Sequence, residues 1–207
     1  MRRLLAWTLV FVIGSVPARP GRTAPTPGGN DEAVPTLAGQ LLVAEPELGD
    51  PNFAQTVVLV LHHGRDGALG LVVNRPYGMA PTAELLRRLG QPAEGVKGET
   101  QLFYGGPVEP EVGMVVHSPD YQRPTTHQIN DGLAVTSDPA ILADLARGRG
   151  PKQAIPVLGY AGWGPGQLES ELVEGAWFAI PADPALIFAP GHEGMWRQAL
   201  ARKGVDL

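Results

Sequence analysis

The run Gly159-Tyr160-Ala161-Gly162-Trp163-Gly164-Pro165-Gly166-Gln167-Leu168-Glu169-Ser170-Glu171-Leu172 decides how this chain is read. Its first eight residues hold four glycines, a proline and two aromatic rings, and helix-forming residues follow at once. Residues 154–160 are apolar and β-branched, which predicts a strand leading into the run. Pro165 suits the first helical position, with Gly164 as the cap and Gln167 returning a hydrogen bond to it. Leu168 and Leu172, four apart, face the core together. The stretch therefore predicts a strand-to-helix corner. The competing reading is a ligand cradle with catalytic carboxylates behind it. Glu169 and Glu171 are two apart, about 200° around a helix, so they point away from one another and cannot converge as an acid–base pair. Glu169 in the first turn suits the helix dipole. The glycines have neither the Lys-Ser/Thr ending of a phosphate loop nor dinucleotide-site spacing.

Outward from the corner, the same periodicity gives a mixed pattern. Residues 40–44, 56–62 and 69–74 read as buried strands, with a hairpin turn at His63-Gly64-Arg65-Asp66-Gly67. Residues 81–90 read as a helix with Gly90 as its stop, and Ser137 is placed to cap a second helix over 138–147. Residues 101–104 and 112–117 suggest another strand pair, residues 176–180 a strand leaving the corner. A last helix carries Met195, Trp196, Ala199 and Leu200, and Gly204 ends it. Strand pairs interrupted by single helices define an α+β domain rather than a doubly wound parallel sheet.

Composition bounds the function. A chain of 207 residues, 43% hydrophobic, fits one domain. With no cysteine, thiol nucleophiles, disulfides and Cys-ligated metals are excluded. Arg2 and Arg3, the apolar residues 4–16 and the small-residue site Val16-Pro17-Ala18 have the order of a secretory signal. The apolar run is too short for a membrane span. The expected organisation is a signal peptide over 1–18, a disordered linker over 19–36 and a folded domain over 37–207, with the mature protein in the periplasm or secreted. A misassigned start codon would instead leave it cytoplasmic. The formal charge is −5, and removing residues 1–18 leaves 14 basic against 21 acidic residues, a balance that opposes direct binding to DNA.

Four blocks then carry a resemblance: Gly39-Gln40-Leu41-Leu42-Val43-Ala44 with Pro46, Leu48, Asp50 and Phe53; Gly67-Ala68-Leu69-Gly70-Leu71-Val72-Val73-Asn74-Arg75-Pro76; Tyr104-Gly105-Gly106-Pro107-Val108; and residues 158–169. Trp177, Phe188, Trp196 and Gly204 extend it. From Gly39 to Leu207 the chain resembles the YqgE/AlgH family. The resemblance implies a branched, twisted sheet forming a pseudo-barrel with flanking helices. It implies little about activity, and the family's usual label is transcriptional regulator.

The candidate residues for binding a small ligand or partner are Asn74, Arg75, Gly105, Gly106, His117, Tyr160, Gly162, Trp163, Gly166, Gln167 and Glu169. Asn74-Arg75-Pro76 and Gly105-Gly106-Pro107 read first as turns, with Arg75 set between turn residues where it could meet an anion. His117, Ser118 and Asp120 have the residue types of a nucleophilic triad without the Gly-x-Ser-x-Gly elbow. His62 and His63, neighbours on a strand, face opposite ways, His192-Glu193 lacks the second histidine of an HExxH site because position 196 is Trp, and no cofactor or metal is expected. A non-enzymatic binding or regulatory protein leads. A hydrolase-like enzyme using Glu169 or His117, or a cytoplasmic regulator, is the alternative. Convergence of His117, Arg75 and Glu169 on one concave pocket would favour the enzyme.

Overall fold

The computed structural model describes residues 36–204, so the leader and nearly all of the linker fall outside the described residues. Within them are ten strands: β1 (Gln40–Ala44), β2 (Val57–Gly64), β3 (Gly67–Val72), β4 (Pro76–Pro81), β5 (Glu99–Tyr104), β6 (Val108–His117), β7 (Thr126–Asn130), β8 (Leu133–Thr136), β9 (Ala154–Trp163) and β10 (Trp177–Pro181). The helices are α1 (Thr82–Arg88), α2 (Ala140–Ala146), α3 (Gln167–Val173), α4 (Pro184–Ile187) and α5 (Met195–Leu200).

The main path of the sheet runs β10-β1-β2-β3-β9-β6-β8-β7. β9 is where it branches. One edge of β9 pairs antiparallel with β6; the other pairs first with β5, in parallel, at Val157 and Leu158, and then with β3, antiparallel, at Ala161 to Trp163. β4 lies outside β5. The sheet curls until its ends approach: the Asn130 side-chain amide in β7 donates to the Ala182 carbonyl just past β10, 3.0 Å away, and a Cβ on Gly39 would touch Ile129. This is the expected α+β fold, a curled and branched sheet with helices against it.

Both faces of the central strands are covered, which explains why they read as continuous apolar runs rather than alternating ones. Leu41, Val43, Val57, Leu59 and Leu71 face a core closed by Leu186, Ile187, Met195 and Ala199 of α4 and α5. Their neighbours Leu42, Ala44, Val58, Val60 and Val72 face the opposite way, onto Trp163, Leu168 and Trp177. A third cluster sits under α1 and α2.

Several local expectations need correction. Residues 101–104 and 112–117 are strands but do not pair with each other, because β9 stands between β5 and β6. The second helix is capped by Asp138, whose carboxylate accepts from the Ala140 N–H at 2.9 Å, and not by Ser137. Pro165 is not the first helical residue. Gly164 to Gln167 form a type II turn, with the Gln167 N–H donating to Gly164 O at 3.1 Å and Gly166 at φ 74°, ψ −5°. α3 starts only after it.

Candidate functional site

The corner places α3 against the face formed by β3, β9 and β10. Gln167 does return a bond to the turn, its Oε1 accepting the Gly164 N–H at 3.0 Å. Its amide nitrogen donates to Glu171 Oε1 at 2.8 Å. The other Glu171 oxygen accepts both indole N–H groups, from Trp163 at 2.9 Å and Trp177 at 2.8 Å. Both indoles are buried, so this carboxylate satisfies two donors that water does not reach. Phe53 completes the cluster, stacked near Trp163 with centroids 6.3 Å apart and edge-on to Trp177 at 5.6 Å.

Phe53 comes from the loop between β1 and β2, and Asn74 and Arg75 hold that loop in place. The buried Asn74 accepts the Val57 N–H at 2.8 Å and donates to Gln55 O at 2.9 Å, next to a backbone at φ 58°. The Arg75 guanidinium donates to the carbonyls of Pro51, Asn52 and Ala54 at 3.1, 2.8 and 2.8 Å. It also lies over the Tyr104 ring, 5.8 Å from the centroid. Burial raises the Tyr104 hydroxyl pKa above its usual range, opposed by the Arg75 cation and helped by Asp50. The donors expected for an anion are thus directed at three backbone oxygens.

Glu169 points elsewhere. Its Oε1 takes the Nε2–H of His63 at 3.0 Å, and His63 Nδ1 accepts the Leu37 N–H at 3.1 Å. A backbone N–H can only donate, so the ring carries its proton on Nε2. The His63 side chain is 4% exposed, and this pair ties the start of the domain to the corner. His62, beside it, turns the other way to Asp66 at 3.0 Å.

His117 is fully buried in β6. Its Nδ1–H donates to Ser118 O at 2.8 Å, and Nε2 has no partner among the described residues. Burial holds the imidazole pKa below its usual value, against the weaker opposing pull of the Ser118 carbonyl and Asp120. Ser118 Oγ donates to Asp120 Oδ1 at 2.5 Å, so the serine and histidine are not wired to each other. Tyr121, edge-on to His117, donates to Asp144, and burial together with that carboxylate pushes its hydroxyl up to about 12.

The glycines have a backbone reason. A Cβ on Gly105 would fall 2.2 Å from Gly159 O, one on Gly106 2.1 Å from the Tyr160 carbonyl carbon, and one on Gly159 2.4 Å from Gly106 O. Gly105 also joins two strands, donating to Leu158 O at 2.7 Å and accepting from Val72 N at 2.8 Å. These three glycines are buried where the sheet branches, backbone against backbone, rather than lining an exposed loop. Gly162 is exposed, and a Cβ there would lie 3.7 Å from its nearest neighbour. Tyr160 donates to Glu109 Oε1 at 3.3 Å, and burial, with Glu109, raises its pKa.

The residues singled out in the sequence therefore divide. Asn74, Arg75, Trp163 and Gln167 belong to one cluster around Phe53. Gly105 and Gly106 belong to the branch point, beside Tyr160. Glu169 and His63 form a separate tie, and His117 stands apart from all of these. His117, Arg75 and Glu169 each bond to a different set of partners. The sequence reading missed Glu171 as a hub. The available signal was a tryptophan on either side of an in-helix glutamate, eight residues before and six after.

Such a domain, a single α+β unit built on one branched and curled sheet, defines a recognisable class. A family model described as AlgH-like matches residues 41–207, and the chain belongs to that family. It is 44% identical over 179 residues to a UPF0301 protein of Afipia carboxidovorans, covering 83% of this chain and 85% of the relative. It is 41% identical to a UPF0301 protein of Ruegeria pomeroyi, covering 82% and 93%. The solution structure of the AlgH protein from Pseudomonas aeruginosa superposes with a TM-score of 0.70 at 39% identity, over 84% of this chain and 93% of that one. A crystal structure of a Corynebacterium diphtheriae protein shares the fold at 22% identity and a TM-score of 0.64, covering 81% and 87%.

Proposed function

We propose that this AlgH-like chain is a non-enzymatic binding or regulatory protein that works outside the cytoplasm on a protein partner or small ligand. The observation that carries the reading is the separation of Arg75, His117 and Glu169, each engaged by its own structural partners. A catalytic group must reach a reacting atom in company with others, and these three do not meet. The charged start, short apolar run and small-residue site of residues 1–18 support export. No helix among the described residues is long and apolar enough to cross a membrane. Cell fractionation with intact-mass measurement tests the location: a mature chain beginning near Arg19 in the periplasm is expected, and full-length protein in the cytosol would overturn it.

Direct DNA binding is not part of this reading. Duplex affinity comes mainly from Lys and Arg neutralising phosphates. The basic residues near the ends of α1 and α2 are partly committed: Arg88 pairs with Glu84, Arg149 with Asp144, and Arg147 donates to the carbonyls of Ala143 and Pro92. An anisotropy titration at physiological salt should show no sequence preference. Submicromolar binding that resisted competitor DNA would restore the regulator reading.

A further inference from the structure

α3 has two unlike faces. Leu168 and Leu172 turn inward onto the tryptophan cluster, whereas Glu169, Ser170, Val173 and Glu174 line a shallow outer depression of about 320 Å³. Val173 is 90% exposed, against 68% for Tyr77 and 54% for Met79, the other large apolar side chains left in solvent among the described residues. Glu174 sits at the C-terminal end of the helix, where the carbonyl ends of the peptide dipoles repel a carboxylate. The last turn has no basic residue to offset it, and Glu174 has no ion-pair partner among the described residues. Glu169 gives one oxygen to His63 and stays nearly half exposed. An apolar side chain in water and an acid at the wrong helix end both act against the isolated fold, and both border one depression. Local choices that conflict with stability are expected at functional sites.

We propose that this face docks a cationic segment of another protein, with an aliphatic side chain set against Val173 and flanking lysine or arginine groups meeting Glu169 and Glu174. The inference rests on the reading of the chain as a binding protein and names the chemistry of its partner. Charge selects the partner: the Glu174 carboxylate and the second oxygen of Glu169 repel acidic segments and attract basic ones. The exposed valine requires an apolar contact as well, so a bare polyamine meets only half of the surface. Five residues at 1.5 Å rise set Glu169 and Glu174 about 7.5 Å apart along the helix axis and about 140° around it, one on either side of Val173, so basic groups flanking an aliphatic side chain can reach both.

The probe is a five-residue peptide alternating lysine and leucine, acetylated and amidated, titrated into the ¹⁵N-labelled chain at low salt and followed by amide chemical shifts. Shift changes centred on residues 167–176 are expected, with at least tenfold weaker binding for Glu174→Lys and for the double variant Val173→Ser, Glu174→Gln. Spectra unchanged away from α3 establish that each variant is folded. Tyr77→Ser, at the other exposed apolar position, should bind as the parent does. Binding to residues outside α3, equal binding by Glu174→Lys, or equal binding of a peptide with serine for leucine would overturn the proposal. Those results leave the binding-protein reading intact, whereas a measured turnover would remove it.

Discussion

Replacing Glu171 with leucine should cost more stability than replacing any other acidic side chain among the described residues. The carboxylate accepts two indole N–H groups and the Gln167 amide. Hydrogen bonds to a charged acceptor contribute about 1.5–3 kcal/mol each, and an orphaned buried donor costs about 1–3 kcal/mol. Trp163 is 6% exposed and Trp177 3%, so neither N–H recovers water when the acceptor is gone. Two orphaned indoles, partly offset by burial of the leucine, give about 3–5 kcal/mol. For a domain of this size that lowers Tm by roughly 6–20 °C. Glu171→Gln keeps one carbonyl oxygen for the indoles and should cost about 1 kcal/mol. Thermal melts by circular dichroism, with urea unfolding followed by tryptophan fluorescence, measure both. A double-mutant cycle isolates the bond: Trp163→Phe removes one N–H and should make Glu171→Leu less costly. A Tm for Glu171→Leu within about 2 °C of the parent would refute the clamp, as would strict additivity in the cycle.

Gly106→Ala, between β5 and β6, and Gly162→Ala, in β9, should part sharply: the first forces a methyl into the Tyr160 backbone and should give insoluble or unfolded protein, whereas the second meets nothing closer than 3.7 Å and should melt near the parent. Stability should fall as pH drops below about 6.5, because the buried His117 and half-buried His192 imidazoles have depressed pKa values and the unfolded chain binds those protons first. Stability is present above the unfolded value and is lost as pH falls through the folded one; a flat Tm between about pH 7 and pH 5.5, or no gain from His117→Phe in that window, would count against it. A second loss comes below the ordinary carboxylate range, through Asp183, whose pKa is lowered first by Arg202 and then by its cap bonds to α4. Glu174→Lys, besides weakening the peptide probe, should raise Tm by about 1–4 °C through the helix dipole; a lower Tm would remove the argument that the acid opposes the fold.

What the sequence showed and hid follows from how local each cause is. β1, β2 and β3 were readable because their valines and leucines run unbroken between turn residues, and α1 because Gly90 takes the left-handed conformation, φ 68°, that stops it. β4 was not readable: its six residues are almost all exposed, with prolines at both ends and a bulge between, so neither alternation nor an apolar run marks it. β7 is a polar end strand and β8 is four residues long. At the site, the angular argument about Glu169 and Glu171 was sound geometry, and it removed the paired-carboxylate reading. It could not supply their actual partners, His63 and the two indoles, which arrive from other strands. Gly105-Gly106 looked like a turn because a close approach by β9, some fifty residues away, leaves no mark on the local sequence. Asn74 and Arg75 likewise looked like turn residues, yet they act on carbonyls some twenty positions upstream.

The pairing of β1 with β10 bears on how the chain comes to be folded. Ala44 lies opposite Trp177, 133 positions later, and β9, which joins β3, β5 and β6, is also made late. At about 5–20 residues per second of synthesis, β1 waits roughly 7–27 s for its outer neighbour. Through that interval its buried-to-be leucines and valine have only β2 beside them, and the branch point has no strand to branch from. A nascent chain of this topology stays open by construction, long enough for a chaperone or a secretion channel to hold it, which accords with the export proposed above. Ribosome-bound chains truncated before residue 177 should accordingly remain protease-sensitive throughout, with resistance gained only once β10 has emerged.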